Sequence, residues 1–550
     1  MERTCKIIKY RPLTSFLWFL SVTVLVVFIL FPLLCIFTKI QPQDVIAVFS
    51  SGLFKQTILN TFIECILSTT LSVFTGYVYA YAIVFARIPF KKFFASLPVL
   101  HLVTPPFVGG LSFILLLGRQ GLITKTILHL DVSLYGLPGL LIAQTLCFFP
   151  LAYLMCKESF ESLNKNLVDS AVSLGASKIK IFTKVIFPLT FPALASSFLF
   201  IAVSVLSDFG NPMIVGGRFR VLAVEIYTQL TGWTNAGTSS VLGLILLLPS
   251  MFLFFLQNRL FNSQTKKIAV IGGKGNTVSG DSAFKNSKTV DILLFIFLSI
   301  TALCILLQFI SIIAGSFQKL WGIDTHFTFN HIKKTFRYIK DFGNTLLFAL
   351  TGSVLSGLLG AFVSFCVHRT NFPFKNFTDT LIQLPSAVPG TLLGLSYSVT
   401  SNILNVHFPR LMITAVITIS FIPFSYRMIT SAFSKIKFTL DEGALSLGRG
   451  PLKIFSRILV PLCKEGIFGG WTYNFARGVG TLSPVIFLVS FNTPLCSVRI
   501  LNLAEQGDWG RAAALALELT IITFIIIGFG KYLQKNPFSK NQHLMGKIYE

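Results

Sequence analysis

The sequence predicts an all-α polytopic membrane protein, with twelve transmembrane helices arranged as two parallel six-helix repeats. Three observations carry this. Apolar residues make up 53% and charged residues 12% of the 550, too little charge to cover a water-soluble surface of that size. Twelve stretches approach the roughly 20 apolar residues that a helix needs to cross a bilayer. One stretch of sequence also occurs twice, with its residues matched at a constant separation.

The expected spans are 14–38, 57–85, 94–118, 136–156, 187–207, 239–260, 289–316, 343–367, 379–400, 409–430, 463–490 and 512–533. Six precede the 263–288 stretch and six follow it. This gives a first repeat over 1–262, a cytoplasmic linker over 263–288 and a second repeat over 289–550. An even number of crossings per half puts both halves into the membrane in the same orientation. Thr14 to Ile36 is followed by no small-x-small cleavage pattern, so the first span reads as an anchor rather than a removed signal.

A net charge of +25 would suit nucleic acid, but its distribution points to a bilayer and to no nucleic-acid partner. With the amino terminus inside, the larger share of the Lys and Arg residues falls on the inner side. Both termini are then cytoplasmic. The nine cysteines are scattered without a Cys-x-x-Cys pair and read as small buried side chains. The histidines lack metal-site spacing, so no metal ligands are expected. Gly272-Gly273-Lys274-Gly275 is the nearest approach to a phosphate-binding loop, and it fails because Ile268 and Gly275 stand where glycine and Ser/Thr are needed. No cofactor and no enzymatic activity are expected in this chain.

Span two opens at Asn60-Thr61 and ends at Ile88-Pro89-Phe90-Lys91; the pattern returns as Asn344-Thr345 and Phe372-Pro373-Phe374-Lys375. At the same separation Pro105 matches Pro389, and Gly110-Leu111-Ser112 matches Gly394-Leu395-Ser396. Pro105, Pro106, Gly110, Pro389 and Gly394 break or kink spans three and nine. Such breaks survive in a bilayer only where protein or a water-filled cavity satisfies the freed backbone groups. They read either as the lining of a pathway or as structural kinks.

Charges within spans are costly and therefore functional candidates. Asp208, at the outer end of span five, is a pathway candidate. Arg477 reads equally as the partner of a carboxylate, and Glu64 and Glu518 as structural. His331 to Lys340 reads as a short outer helix, with Phe329, Ile332, Phe336 and Ile339 recurring at helical spacing and Lys333, Lys334, Arg337 and Lys340 mostly on the other side. Its basic face fits anionic lipid, and it also fits an acidic face of a solute-binding protein.

The repeated stretch covers 164–189 and 437–462. Asp169 matches Glu442, Ala171 matches Ala444, Ser173-Leu174-Gly175 matches Ser446-Leu447-Gly448, Phe182 matches Phe455 and Pro188 matches Pro461. Each copy reads as two short helices around a glycine turn, with the proline opening the next apolar segment. The layout resembles the EAA loop of ABC-transporter permease subunits, although Ser170 and Gly443 depart from the family's middle alanine. In that family the loop docks into a cleft on the ATPase. The resemblance therefore implies ATPase-coupling roles for Asp169, Ala171, Gly175, Pro188, Glu442, Ala444, Gly448 and Pro461.

Ser207-Asp208-Phe209-Gly210-Asn211-Pro212, with Ile226-Tyr227 downstream and Leu117 to Thr124 upstream, resembles the fused two-domain permeases of binding-protein-dependent ferric iron importers. In the second half Gly480-Thr481-Leu482-Ser483-Pro484 takes the place of the Asp208 turn and has no carboxylate. The resemblance implies a permease of the type I ABC importer class in a bacterial inner membrane. Its partners would be two copies of an ABC ATPase subunit and an extracytoplasmic solute-binding protein. Its cargo would be ferric iron, or, on the same scaffold, thiamine, phosphonate or another small solute. A gradient-driven secondary transporter is the competing class. It has no use for the doubled loop and calls for ionisable residues at mid-membrane depth.

Overall fold

The computed structural model describes residues 12–105, 107–127, 129, 134–271 and 286–535. From the amino end its main helices are α1 (Pro12–Phe37), α2 (Gly52–Phe85), α3 (Lys91–Val103), α4 (Phe107–Leu117), α5 (Leu137–Glu161), α6 (Lys165–Ser173), α7 (Lys178–Leu206) and α8 (Ala236–Ile271). They continue as α9 (Lys288–Phe317), α10 (Asn330–Arg369), α11 (Lys375–Gln383), α12 (Gly390–Leu404), α13 (Pro409–Ser434), α14 (Thr439–Ser446), α15 (Lys464–Val479) and α16 (Trp509–Lys535). Nine of these, among the described residues, are long and apolar enough to cross a membrane.

The other three expected spans are not single helices. The 94–118 span is α3 and α4, separated at Thr104, whose backbone is extended (ψ 146°), and Pro105. Pro106 lies outside the described residues. The 379–400 span is α11, a 3₁₀ turn Leu384–Ser386 and α12, with Pro389 at φ −55° and ψ 139° capping the last. Proline has no N–H to donate and pushes the residue before it out of the helical region, so each pair of helices is forced apart at its proline. The 463–490 span keeps its helix only to Val479, after which the chain turns at Gly480.

Further details go beyond the expected spans. The helix of span six runs on to Ile271, past its expected end at 260; residues 272–285, with the glycine-rich Gly272 to Gly275, lie outside the described residues. Pro42–Ser50 is helical. The short helix expected at His331 to Lys340 is found over Asn330–Thr335 and runs through a 3₁₀ turn, Phe336–Tyr338, into the rest of α10. Just before it stands an unforeseen antiparallel hairpin, β1 (Gln318–Leu320) and β2 (Asp324–Phe327). Hydrogen bonds from Lys319 and His326 hold the Asp324 carboxyl there well below the usual carboxylate range.

The chain forms two compact units. The first is Gln41–Thr335 with Ile500–Ala516; the second takes the chain up to Ile40, Phe336–Arg499 and the residues from Leu517 onward. In the first unit α2, α5 and α7 pack on one another, and α9 lies against α2, α3 and α4. In the second, α10, α13 and α15 form the centre, and α1 lies against α10, α11 and α12. The buried Trp18 ring of α1 stacks on Phe372 at 5.5 Å and donates from Nε1 to the Pro373 carbonyl at 3.2 Å. Each unit therefore contains a first-span helix supplied from the other half of the sequence.

The closest helix contacts are made at glycines, where backbones meet with no side chain between them. A Cβ on Gly76 of α2 would run into Ala152 Cβ and lie 2.7 Å from the Tyr153 nitrogen of α5. A Cβ on the matched Gly360 of α10 would lie 3.1 Å from the Tyr426 nitrogen of α13. Gly357 has open space within 4 Å. Gly76→Leu is expected to lower stability by about 1–3 kcal/mol through overpacking, while Gly357→Leu leaves it unchanged or raised, as read from thermal midpoints of the purified protein.

Candidate functional site

The two loops are built alike from their residues upward. In the first, the Asn164 side chain accepts from the Asn166 amide at 3.0 Å and starts α6. The helix ends at Gly175, whose φ of +71° lets the Gly175 amide reach the Val172 carbonyl (2.9 Å) and the Ala176 amide the Ala171 carbonyl (3.1 Å). In the second, α14 ends at Gly448 with φ +73°, and the bonds run from Gly448 to Leu445 (2.9 Å) and from Arg449 to Ala444 (3.0 Å). This double bond pattern needs a left-handed residue, which glycine adopts without strain.

After each glycine a short helix runs into a five-residue π turn, Phe182–Ile186 and Phe455–Leu459. The Phe187 amide returns to the Phe182 carbonyl, and the Val460 amide to that of Phe455, one residue wider than an α-helix. Pro188 and Pro461 follow directly. A proline cannot donate to the carbonyl four residues back, and the wider turn places its missing donor where the register has already shifted.

The side chains divide by face. Ala444 is buried and Ala171 packs against the first unit's apolar core, Asp169 is half-buried, and Glu442, Pro188 and Pro461 are exposed. At the apex Leu174 is 87% exposed and Leu447 82%. Nothing stands within 4 Å of a Cβ built on Gly175 or Gly448. The two leucines stand in the open at matched apices and belong to no core. Sequence reasoning assigned them no role, although the repeated Leu-Gly pair was the signal. It also chose Glu442 as the second loop's acid, whereas the buried one is Asp441, paired with Arg369 at 2.7 Å.

At the other end of the first unit the structure gathers a polar cluster that the sequence left dispersed. Gln144 Nε2 donates to Glu64 Oε1 (2.7 Å) and to Asp208 Oδ2 (3.0 Å), Asn211 Nδ2 donates to Asp208 Oδ2 (2.8 Å), and Ser68 Oγ donates to Gln144 Oε1 (2.6 Å). Both carboxylates are thus tied to one amide. Pro105 is buried, and a Cβ built on Gly110 would lie 3.2 Å from Asn211 Oδ1. In the second unit a Cβ built on the matched Gly394 would lie 2.6 Å from the Pro484 carbonyl oxygen, while Pro389 holds the cap of α12. Arg477 is half-buried and pairs with no carboxylate among the described residues, contrary to one of its two expected roles. Glu518 is half-buried on α16.

The family model described as "Binding-protein-dependent transport system inner membrane component" matches residues 72–267 and again 353–537, so that each match contains one loop. The chain belongs to this family. Its members are inner-membrane transport components rather than enzymes. The ferric transport system permease protein FbpB of Actinobacillus pleuropneumoniae is 30% identical, over 93% of this chain and 77% of its own. The putative ferric transport system permease protein FbpB 1 of Haemophilus influenzae is also 30% identical, over 85% and 76%. The probable sulfate transport system permease protein cysT of Marchantia polymorpha is 28% identical over 37% of this chain and 76% of its own. A solved bacterial ABC transporter involved in the import of the acidic polysaccharide alginate covers 46% of this chain and 98% of its own at 17% identity and a TM-score of 0.37.

Valine at both Gly175 and Gly448 is expected to abolish coupled transport while the protein still reaches the membrane. Each left-handed position then carries about 1–2 kcal/mol of local strain and a branched side chain on the exposed apex, with no core clash. Transport assays beside membrane yield and thermal midpoint of the double variant check this.

Proposed function

We propose that this chain is the membrane-spanning permease subunit of an ATP-driven, binding-protein-dependent ABC importer whose cargo is ferric iron. The observation that carries the reading is the doubled loop: the same helix, left-handed glycine, helix and π turn at two matched places, each with an exposed leucine at its apex. Two copies of an ATPase subunit dock on the two loops, with Asp169, Ala171, Gly175 and Pro188 shaping one surface and Glu442, Ala444, Gly448 and Pro461 the other. ATP is bound and hydrolysed in those partners.

On this reading the nine long helices and the three broken segments make twelve crossings, in two parallel repeats over 1–262 and 289–550 joined by the 263–288 linker. The loops and both termini face the cytoplasm. A solute-binding protein delivers the cargo on the opposite side, where Asp208 stands. Pro105, Pro106, Gly110, Asp208, Pro389 and Gly394 line the passage. Closure of the ATPases pushes on both loops, and each loop, capped and seated on its own helices, passes the push into the membrane segments. Iron as cargo is supported by the ferric transport permeases that resemble the chain over most of its length. The carboxylates of Glu64 and Asp208 add chemistry that a hard cation seeks.

The test is hydrolysis by the chain reconstituted in vesicles with its ATPase, with binding protein in the outside medium. Faster hydrolysis with iron-loaded than with unloaded binding protein, accompanied by iron uptake, is the expected result. Equal stimulation by a protein loaded with another solute removes iron and keeps the importer. A chain that retains no ATPase on purification removes the importer itself.

A further inference from the structure

The two loops are seated on their units by different chemistry. In the second unit the Arg369 fork, buried at the end of α10, donates from Nη1 to Asp441 Oδ2 at 2.7 Å. From Nη2 it donates to the Phe433 and Ile436 carbonyls, the second at 2.8 Å, which close the end of α13. Its guanidinium also lies over the Phe438 ring at 4.3 Å. One side chain thus joins α10, α13 and α14.

The first unit has no charge in that place. Phe85 stands from Arg369 at the separation of Pro89 from Pro373, and Val168 stands from Asp441 at the separation of Gly175 from Gly448. Phe85 and Val168 are buried in one apolar cluster with Phe160, the counterpart of Phe433. The Phe85 ring meets that of Phe160 edge-on at 5.6 Å. Around the ionic seat the difference continues. Tyr426 donates to Asp379 Oδ1 at 2.5 Å, Gln383 Nε2 donates to the same oxygen at 3.0 Å, and Arg427 Nε donates to Gln383 Oε1 at 3.2 Å. At the counterparts of Asp379, Gln383 and Arg427 the first half has Ala95, Val99 and Leu154. The matched Tyr153 is kept and donates to the Ala95 carbonyl at 3.2 Å.

We propose that Arg369 is a positioning residue of the coupling machinery, holding the second loop by a directional ionic fork where the first loop is held by an apolar cluster that includes Phe85, Phe160 and Val168. This rests on the importer reading, because the loops must be the parts that partners push. A guanidinium fork fixes distance and angle to carboxylate and carbonyls together, whereas apolar burial is non-directional. The second loop therefore moves as one piece with the ends of α10 and α13. Removing one member leaves a buried charge without its partner, and removing both restores an apolar seat of the kind the chain already uses.

The experiment measures iron taken up per ATP hydrolysed in vesicles containing the chain, its ATPase and iron-loaded binding protein, with thermal midpoints alongside. Arg369→Met and Asp441→Val are each expected to lower that ratio about tenfold with the ATPase still bound. Arg369→Lys, a point charge without the fork, gives no rescue. Arg369→Phe combined with Asp441→Val, the pair found in the first half, returns the ratio to within about threefold of wild type. Should Arg369→Met fail to fold, Asp441→Asn, which keeps the shape and removes the charge, supplies the single-variant reading. Single variants with the wild-type ratio overturn the proposal, and so does a double variant with the wild-type midpoint whose ratio stays at the level of the singles. A wild-type chain that shows no coupled uptake overturns the importer reading instead.

Discussion

Within hydrocarbon a backbone has no water to bond to, and a segment that leaves the helix must find its partners in protein. That constraint accounts for where this chain departs from regular helix. The break between α3 and α4 and the break before α12 are each followed by a helix that carries a glycine toward a matched place in the chain: Gly110 toward Asn211 and Ile214, in the short helix Gly210–Val215, and Gly394 toward Pro484 and Phe487, which lie in turns. Asn211 and Pro484 are themselves matched positions. Each break is thus followed by a helix that another segment of protein approaches closely, and glycine, with no Cβ, leaves room for that approach.

Much of this was legible because the sequence repeats itself. A residue shared by both halves at one separation is marked out without any structure, and so Gly175, Gly448, Pro188, Pro461 and the Asn-Thr pairs within α2 and α10 stood out. The left-handed Phe90 and Phe374, at φ 52° and 62°, did not, since nothing about phenylalanine announces that conformation. The π turns were hidden for a similar reason: hydropathy reads one widened turn as ordinary helix. Three spans were drawn too long because apolar content counts residues but does not say whether proline lets them stay in one helix.

Matching repeats is blind to whatever only one half possesses. Glu64 and Gln144 fall opposite Phe348 and Ile417, and Arg369 and Asp441 fall opposite Phe85 and Val168, so the comparison that exposed the loops passed over all four. Within a half, nothing in their spacing joins them either: Gln144 reaches Glu64 across 80 residues of chain, and Arg369 reaches Asp441 across 72. Only packing brings them together. The cluster of Glu64, Gln144 and Asp208 lies away from the first loop, whereas Arg369 and Asp441 lie at the second loop. The second unit has further polar pairs of its own, Arg499 with Asp341 among them, where the first half has Ile226 and Thr57. Duplication supplied a scaffold common to both halves, and their polar contacts differ.

The helices exchanged between halves add a requirement on assembly. α1 precedes α10, α11 and α12 by some three hundred residues of chain, roughly the span of a whole domain, so during synthesis it enters the membrane long before its packing partners exist. A helix that must wait in lipid can do so only if lipid is a good solvent for nearly all of its surface. Of the nine spanning helices, α1 and α9 are the two most apolar and the two least buried. Each presents to its unit a narrow stripe, Trp18, Ser21 and Leu25 on α1 and Thr301, Ile305, Gln308 and Ile312 on α9, with a lipid-facing remainder. The composition that marks α1 as a strong membrane span is thus also what allows it to be stored in the bilayer and bound late to the other half of the chain, whereas α9 finds α2, α3 and α4 already made.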